Sequence, residues 1–141
     1  MTGCAGYEPM FSTKKLSFYI DAIDNVNESK ITRKISKNLN NNKKEIEDKK
    51  KYILKILSDK KNNITSRDSK RVASTYEMVI NVKVEVFYND INTPIATFVI
   101  NKNSNYRNQI NKFSLSQYKN TIEENIIKEI AQEITIKLQS L

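Results

Sequence analysis

The sequence predicts an α+β fold, a two-layer β-α-β-β-β-α sandwich in which two helices lie on one face of a four-stranded sheet. Residues 76–88 alternate apolar and other side chains for longer than chance readily produces, which indicates a long half-buried strand. Residues 31–39 and 115–138 carry apolar side chains at helical spacing. The length of 141 residues fits one domain, predicted at 15–141 and preceded by a linker at 1–14.

The first strand and the first helix follow from local patterns. Residues 15–21 alternate apolar and other side chains, which predicts a half-buried strand. Asn27 is predicted to cap the helix, with Val26 and Ile31 forming a hydrophobic staple across its start. The asparagines at 40–42 are expected to end this helix, and residues 43–51 to form an exposed, lysine-rich connection.

The middle of the chain predicts a hairpin. Residues 52–57 are apolar on both sides, so this second strand is expected to be central or covered on both faces. Residues 60–73 are predicted to form its polar tip. The long third strand has Val79 and Phe87 as exceptions on its polar side, which hints that something covers that face. A turn at 89–94 leads into a fourth strand that begins at 95–100 and can run on towards Tyr106.

A second amphipathic helix is predicted to close the domain. Ser114 and Gln117 have the spacing of a capping box at its start. One broad face is apolar and the opposite face is acidic, and the glutamates expected to face water are Glu123, Glu124, Glu129 and Glu133.

The composition excludes most catalytic chemistry. The chain has no histidine and one cysteine, which removes zinc sites, thiol–imidazole dyads and serine–histidine triads. Its two glycines, Gly3 and Gly6, cannot form a glycine-rich phosphate loop. We therefore expect no enzymatic activity, no metal and no cofactor. The net charge of +8 points instead to an anionic partner, which leaves nucleic acid, an anionic membrane or a phosphorylated glycolipid open.

The single cysteine lies in an informative context. Met1-Thr2-Gly3-Cys4 matches the tail of a bacterial lipobox, in which the cysteine thiol takes a diacylglyceryl group. The chain carries no basic and apolar signal region before Cys4, so this interpretation requires a start upstream of Met1 or a signal already removed. Several acyl chains on Cys4 would hold the protein stably at a membrane. The alternative is an ordinary free thiol.

The sequence resembles the LptE family of lipopolysaccharide-assembly lipoproteins, whose members begin with a lipidated cysteine followed by Gly-Tyr-x-Pro. Here Cys4 is followed by Ala5 and then Gly6-Tyr7-Glu8-Pro9, so Ala5 is an insertion. The likeness continues through the predicted element order. It includes Ile64-Thr65-Ser66-Arg67-Asp68-Ser69 before the third strand and Phe113-Ser114-Leu115-Ser116-Gln117-Tyr118 at the last helix. It therefore covers nearly the whole chain.

This resemblance implies a non-enzymatic lipoprotein on the periplasmic side of the outer membrane, held there by its lipid anchor. Its implied partners are an LptD-type β-barrel, which it plugs and helps to assemble, and lipopolysaccharide (LPS). A basic hairpin tip could hold LPS phosphates because arginine pairs with phosphate bidentately. The predicted ligand-binding residues are Arg67, Lys70, Arg71, Lys60 and Lys61, with a solvated hairpin end as the alternative. A second candidate region comprises Lys102, Arg107 and Lys112.

Two other functions remain open at this stage. The first is a basic nucleic-acid-binding module, which rests on the net charge, on residues 43–51 and on aromatic side chains that could stack on bases. No nucleic-acid motif supports it, so no nucleic-acid partner is expected. The second is a structural lipoprotein of another envelope machine, which the sequence alone does not separate from the leading interpretation.

Overall fold

The computed structural model describes residues 16–39, 49–89 and 91–141, and it confirms the predicted element order. Cys4, the predicted linker at 1–14, the predicted helix end at 40–42 and most of the lysine-rich connection lie outside the described residues. The elements are β1 (Phe18–Asn25), α1 (Lys30–Leu39), β2 (Lys50–Arg67), β3 (Ala73–Tyr88), β4 (Ala96–Arg107) and α2 (Lys112–Gln139).

The sheet is mixed and has the order β1-β2-β3-β4. β1 and β2 are parallel, and the other neighbouring pairs are antiparallel. Parallel pairing needs a crossover, which α1 provides. β2 and β3 have 18 and 16 residues, whereas β1 pairs with β2 only from Lys50 to Ile56. The β2–β3 hairpin therefore extends well beyond β1, and its distal part is flanked by β4 alone.

Both helices pack on the same face of the sheet, as predicted. Residues such as Leu54, Val84 and Ile100 point to this face at alternate positions along their strands and are fully or almost fully buried. They form one core with the apolar stripes of α1 and α2, including Ile35 and Ile130, which are 0% exposed. Each such aliphatic side chain stabilises the fold by about 1.5–3 kcal/mol through burial.

The opposite face of the sheet is open along most of its length. β2 is an inner strand, but Leu57 is 42% exposed, so the alternative that β2 is covered on both faces is wrong for the described residues. Phe87, one of the two predicted exceptions, is buried. The Lys55 ammonium lies 5.0 Å from the centre of its ring, and Ile91 from the β3–β4 connection lines the same hollow. This local cover accounts for the apolar side chain at that position.

α1 begins later than predicted, and a different residue caps it. The Ser29 hydroxyl accepts a hydrogen bond from the Ile31 amide at 3.1 Å, so Ser29 is the capping side chain rather than Asn27. Asn27 instead donates its side-chain amide to the Ser58 carbonyl at 2.8 Å, which ties the connection to β2. Val26 is 52% exposed and does not bury the surface that a hydrophobic staple requires.

α2 begins earlier than predicted. Its N-cap is Asn111, whose side-chain oxygen accepts hydrogen bonds from the amides of Phe113 at 2.8 Å and Ser114 at 3.4 Å. Ser114 therefore lies inside the first turn, and the predicted capping box of Ser114 and Gln117 is wrong. Asparagine caps a helix as well as serine does. The prediction relied on the capping-box spacing and passed over Asn111, which lies where the helix begins.

Substituting the two rival caps tests this assignment. We expect Asn111→Ala to lower the free energy of unfolding by about 1 kcal/mol, because two amides of the first turn lose their acceptor. Ser114→Ala should change it by less than about 0.5 kcal/mol, as expected of an exposed site. Urea denaturation followed by circular dichroism measures both. A larger loss for Ser114→Ala would contradict the structure.

Candidate functional site

The tip of the β2–β3 hairpin is a short, internally bonded loop at residues 68–72. The Asp68 carboxylate accepts hydrogen bonds from the backbone amides of Lys70 at 2.8 Å and Val72 at 2.9 Å. The Asp68 amide donates to the Val72 carbonyl at 2.9 Å, and the Arg71 amide donates to the Asp68 carbonyl at the same distance. Asp68 thus fixes the backbone of the loop.

Three predicted binding residues lie at this tip. Arg67, Lys70 and Arg71 are all exposed, and the Arg67 guanidinium donates to the Arg71 carbonyl at 3.0 Å. Arg71 has a φ of 65°, in the left-handed region, which disfavours residues with a Cβ. The tip, formed by the end of β2 and the loop, therefore presents three cations close together, while the one carboxylate of the loop is engaged by backbone amides. Guanidinium and ammonium groups so placed can donate to phosphate oxygens.

Lys60 and Lys61 do not lie at the tip. Both belong to β2, where they pair with Ile80 and Val79, so the predicted tip at 60–73 is too long. Six or seven residues of extended chain separate them from Arg67, a distance of roughly 20 Å. Successive strand residues point to opposite faces, and Lys60 accordingly points to the helix face while Lys61 points to the open face. The polar composition of 60–67 concealed a continuous strand.

Lys60 takes part in an ionic cluster that joins three elements. The Glu123 carboxylate of α2 forms ion pairs with the ammonium groups of Lys34 of α1, at 2.6 Å, and Lys60 of β2, at 2.9 Å. Each lysine pairs with a different carboxylate oxygen. The Glu123 side chain is 7% exposed, whereas the lysines are 46% and 34% exposed. The prediction that Glu123 faces water is therefore wrong. Its helical position places it at the edge of the core, where the two lysines can reach it.

The titration of Glu123 reflects two opposing effects. Burial acts to raise its pKa because it disfavours the charged form, but the hydrogen bonds and charges of Lys34 and Lys60 outweigh burial and hold the pKa below its ordinary value. A carboxyl group with a lowered pKa in the folded state stabilises the fold above its ordinary pKa of 4.5. That stability is lost as the pH falls through the lowered pKa.

The second predicted basic region divides between two places. Lys102 lies along β4, with its ammonium 3.7 Å from the Glu133 carboxylate. Arg107 ends β4 opposite Thr75, and Lys112 begins α2. The Asn108 amide donates to the Ser74 carbonyl at 2.9 Å, and its side chain donates to the Ala73 carbonyl at 2.8 Å. The β4–α2 connection is therefore fastened to the base of the tip, and it brings Arg107 and Lys112 to the same end of the molecule.

Most aromatic side chains serve the core rather than a surface. Tyr76 and Tyr106 stack with ring centroids 5.2 Å apart, and the Tyr106 hydroxyl donates to Asn62 at 3.1 Å. Tyr52 is 1% exposed and packs between Phe18 and Tyr88. These buried or partly buried rings do not offer faces on which bases could stack, and Phe113, which is 68% exposed, is an exception among the large aromatic side chains.

The family model for lipopolysaccharide assembly, LptE, matches residues 16–138, which is nearly all of the chain. The chain belongs to the LptE family. This family is a non-enzymatic component of LPS transport. No curated protein sequence matches the chain.

Solved structures share the fold at low sequence identity. Rare lipoprotein B from Shewanella oneidensis has a TM-score of 0.64 at 16% identity, covering 86% of this chain and 94% of that one. A minor lipoprotein from Acinetobacter baumannii has a TM-score of 0.63 at 13% identity, covering 89% and 93%. Lipoprotein B from Nitrosomonas europaea has a TM-score of 0.64 at 12% identity, covering 96% and 91%. The LptE-family fold is thus shared over nearly the full length of each.

Two further features concern the LptE-family domain in the part of the chain that the structure describes. Within residues 16–39, 49–89 and 91–141, neither helix is long and apolar enough to cross a membrane. In the same residues, no three acidic or sulfur side chains come together in an arrangement that could hold a metal ion.

The ionic cluster provides a test of how the two helices are fixed to the sheet. We expect Glu123→Gln to lower the free energy of unfolding by about 1–2 kcal/mol at pH 7, because the carboxylate no longer pairs with the two lysines. The loss is not larger because the partly exposed lysines regain water. The difference from the parent should shrink as the pH falls below 4.5, because the parent carboxylate then takes up a proton. Chemical denaturation at a series of pH values measures this.

Glu124→Gln is the matched control, because Glu124 is the neighbouring residue on the same helix and is exposed. It should change the free energy of unfolding by less than about 0.5 kcal/mol at pH 7. Equal effects of the two substitutions, or a Glu123→Gln effect that does not vary with pH, would contradict the importance of the cluster.

Proposed function

We propose that this LptE-family protein is a non-enzymatic outer-membrane lipoprotein that plugs an LptD-type LPS-export barrel, assists its assembly and binds LPS during insertion into the outer leaflet. The family match over residues 16–138 is the observation that carries this proposal. The solved structures that share the fold are themselves described as lipoproteins, which supports lipid attachment at Cys4. Lipid attachment and the family match together support a position on the periplasmic side of the outer membrane.

The open face of the sheet suits a partner with a polar inner wall. Asn81, Asn101, Asn103 and Asn105 point to this face from β3 and β4, and Asn81 is hydrogen-bonded to Asn101 across the strands. The interior of a large outer-membrane barrel is polar. Asparagine side chains carry both donors and acceptors, so they can match such a wall without burying unpaired charges.

The hairpin tip suits the phosphates of LPS. Arg67, Lys70 and Arg71 point into solvent from the hairpin tip, whose backbone is already hydrogen-bonded, so little ordering of that backbone is needed on binding. Lys60 and Lys61 were predicted to add to this site. They lie roughly 20 Å away along β2, beyond twice the screening length at physiological ionic strength, so their contribution is expected to be small.

The barrel partnership can be tested with the tagged full-length precursor purified from its own envelope. We expect a large β-barrel protein to co-purify with it, and both to fractionate with the outer membrane. A Cys4→Ala variant should lose the outer-membrane fractionation, because the acyl group needs the thiol. Recovery of the parent alone from the soluble cytosol would refute the proposal.

The LPS site can be tested by changing Arg67, Lys70 and Arg71 together to serine. Each partly exposed contact contributes on the order of 1 kcal/mol, so affinity for purified LPS should fall about tenfold or more. Changing Lys37, Lys83 and Lys128 to serine is the matched control, because it removes the same charge from exposed sites elsewhere. If the tip variant binds LPS as tightly as the parent, the tip is only solvated.

A further inference from the structure

Three large apolar side chains are exposed at the tip end of the molecule. Ile110 is fully exposed, Phe113 is 68% exposed and Val72 is 52% exposed. They come from separate parts of the chain, since Val72 ends the hairpin loop and the other two flank the start of α2. Single exposed apolar residues are ordinary, but a group of large ones at one end of a domain marks a contact surface.

Hydrogen bonds hold the two segments side by side. The Asn108 bonds to Ser74 and Ala73 fasten the β4–α2 connection to the base of the hairpin, and the Asn111 cap fixes the first turn that carries Phe113. Between them lies an open cavity of about 630 Å³, within the usual size of small-molecule sites. Its apolar lining comprises Val72, Ala73, Tyr76, Ile110 and Leu115, and its polar lining includes Asp68, Asn108 and Lys112. The exposed Phe113 lies outside this lining.

The charges around this apolar surface are almost all of one sign. Arg67, Lys70 and Arg71 come from the hairpin, and Arg107 and Lys112 come from the two ends of the β4–α2 connection. Asp68 is the acidic residue of the loop, and its carboxylate is engaged by two backbone amides. A cavity with an apolar side, next to five cations, complements a molecule that joins an apolar chain to an anionic head. A polar protein loop or a nucleic acid would leave the apolar side chains without a partner.

We propose that the cavity lined by Val72, Ile110 and Leu115 receives an acyl chain of the phosphorylated lipid whose phosphates bind Arg67, Lys70 and Arg71. This inference rests on the proposed function and adds a second part to that site. The cations alone would bind any polyanion. The adjacent apolar cavity makes the site selective for an acylated one, because only the acyl chain gains free energy by leaving water there.

The test compares intact purified LPS with the phosphorylated saccharide obtained by removing all acyl chains from the same LPS. We expect the parent to bind intact LPS more tightly. Changing Val72 and Ile110 together to serine should weaken binding of intact LPS about tenfold or more and leave binding of the saccharide unchanged. The Arg67, Lys70 and Arg71 triple variant should weaken binding of both.

Changing Val26 and Ile136 to serine is the matched control, because these aliphatic side chains are similarly exposed and belong to other parts of the fold. It should leave LPS affinity unchanged. Because the chain contains no tryptophan, Ile110→Trp provides a local probe at the cavity in an otherwise intact protein. Its fluorescence should shift to shorter wavelength with intact LPS and stay unchanged with the saccharide.

The outcomes separate this inference from the proposed function. Equal affinity of the parent for LPS and saccharide, or an unshifted Ile110→Trp emission, would overturn the acyl site and leave phosphate binding standing. A Val72 and Ile110 double variant that binds LPS normally but no longer co-purifies with the barrel would also overturn it, because the surface would then face a protein. Binding of neither ligand by the parent would overturn LPS binding itself.

Discussion

The pairing of β2 with β3 is the contact on which the rest of the structure depends. It runs from Tyr52 opposite Tyr88 to Arg67 opposite Ala73, so it spans both the core and the tip. The buried side chains that the helices cover continue along it as far as Met78, and its distal half extends beyond β1. The hairpin thus separates a packed end from a charged end within one domain.

The sequence predicted the elements better than their ends. Period-two alternation in β3 and helical spacing in α2 are properties of many residues at once, so one exception such as Phe87 does not alter them. Caps are decided by single side chains, and several candidates compete within a few residues. Ser29 and Asn111 prevailed over Asn27 and Ser114 because tertiary contacts, such as the bond from Asn27 to Ser58, fixed where each helix begins.

The candidate site could be predicted only in part, because it is assembled across the fold. Arg67, Lys70 and Arg71 are close in sequence, and composition was enough to find them. The approach of Arg107 and Lys112 depends on the β3–β4 register and on Asn108, which no local pattern shows. The prediction that Lys60 belongs to the tip was wrong for the opposite reason. Lys60 is near the tip in sequence, but extended strand geometry carries it away and turns it towards Glu123.

Backbone strain at Arg71 does not by itself single out the tip as functional. A left-handed residue with a Cβ costs roughly 1–2 kcal/mol, and glycine would avoid this cost. Glu28 and Asn89 also have positive φ, and both glycines of the chain lie at its N-terminus, so this sequence tolerates such positions in ordinary turns. What distinguishes Arg71 is the set of residues around it. It lies at the hairpin tip with the cations Arg67 and Lys70, and the hydrogen bonds of Asn108 hold an exposed apolar surface close to that tip.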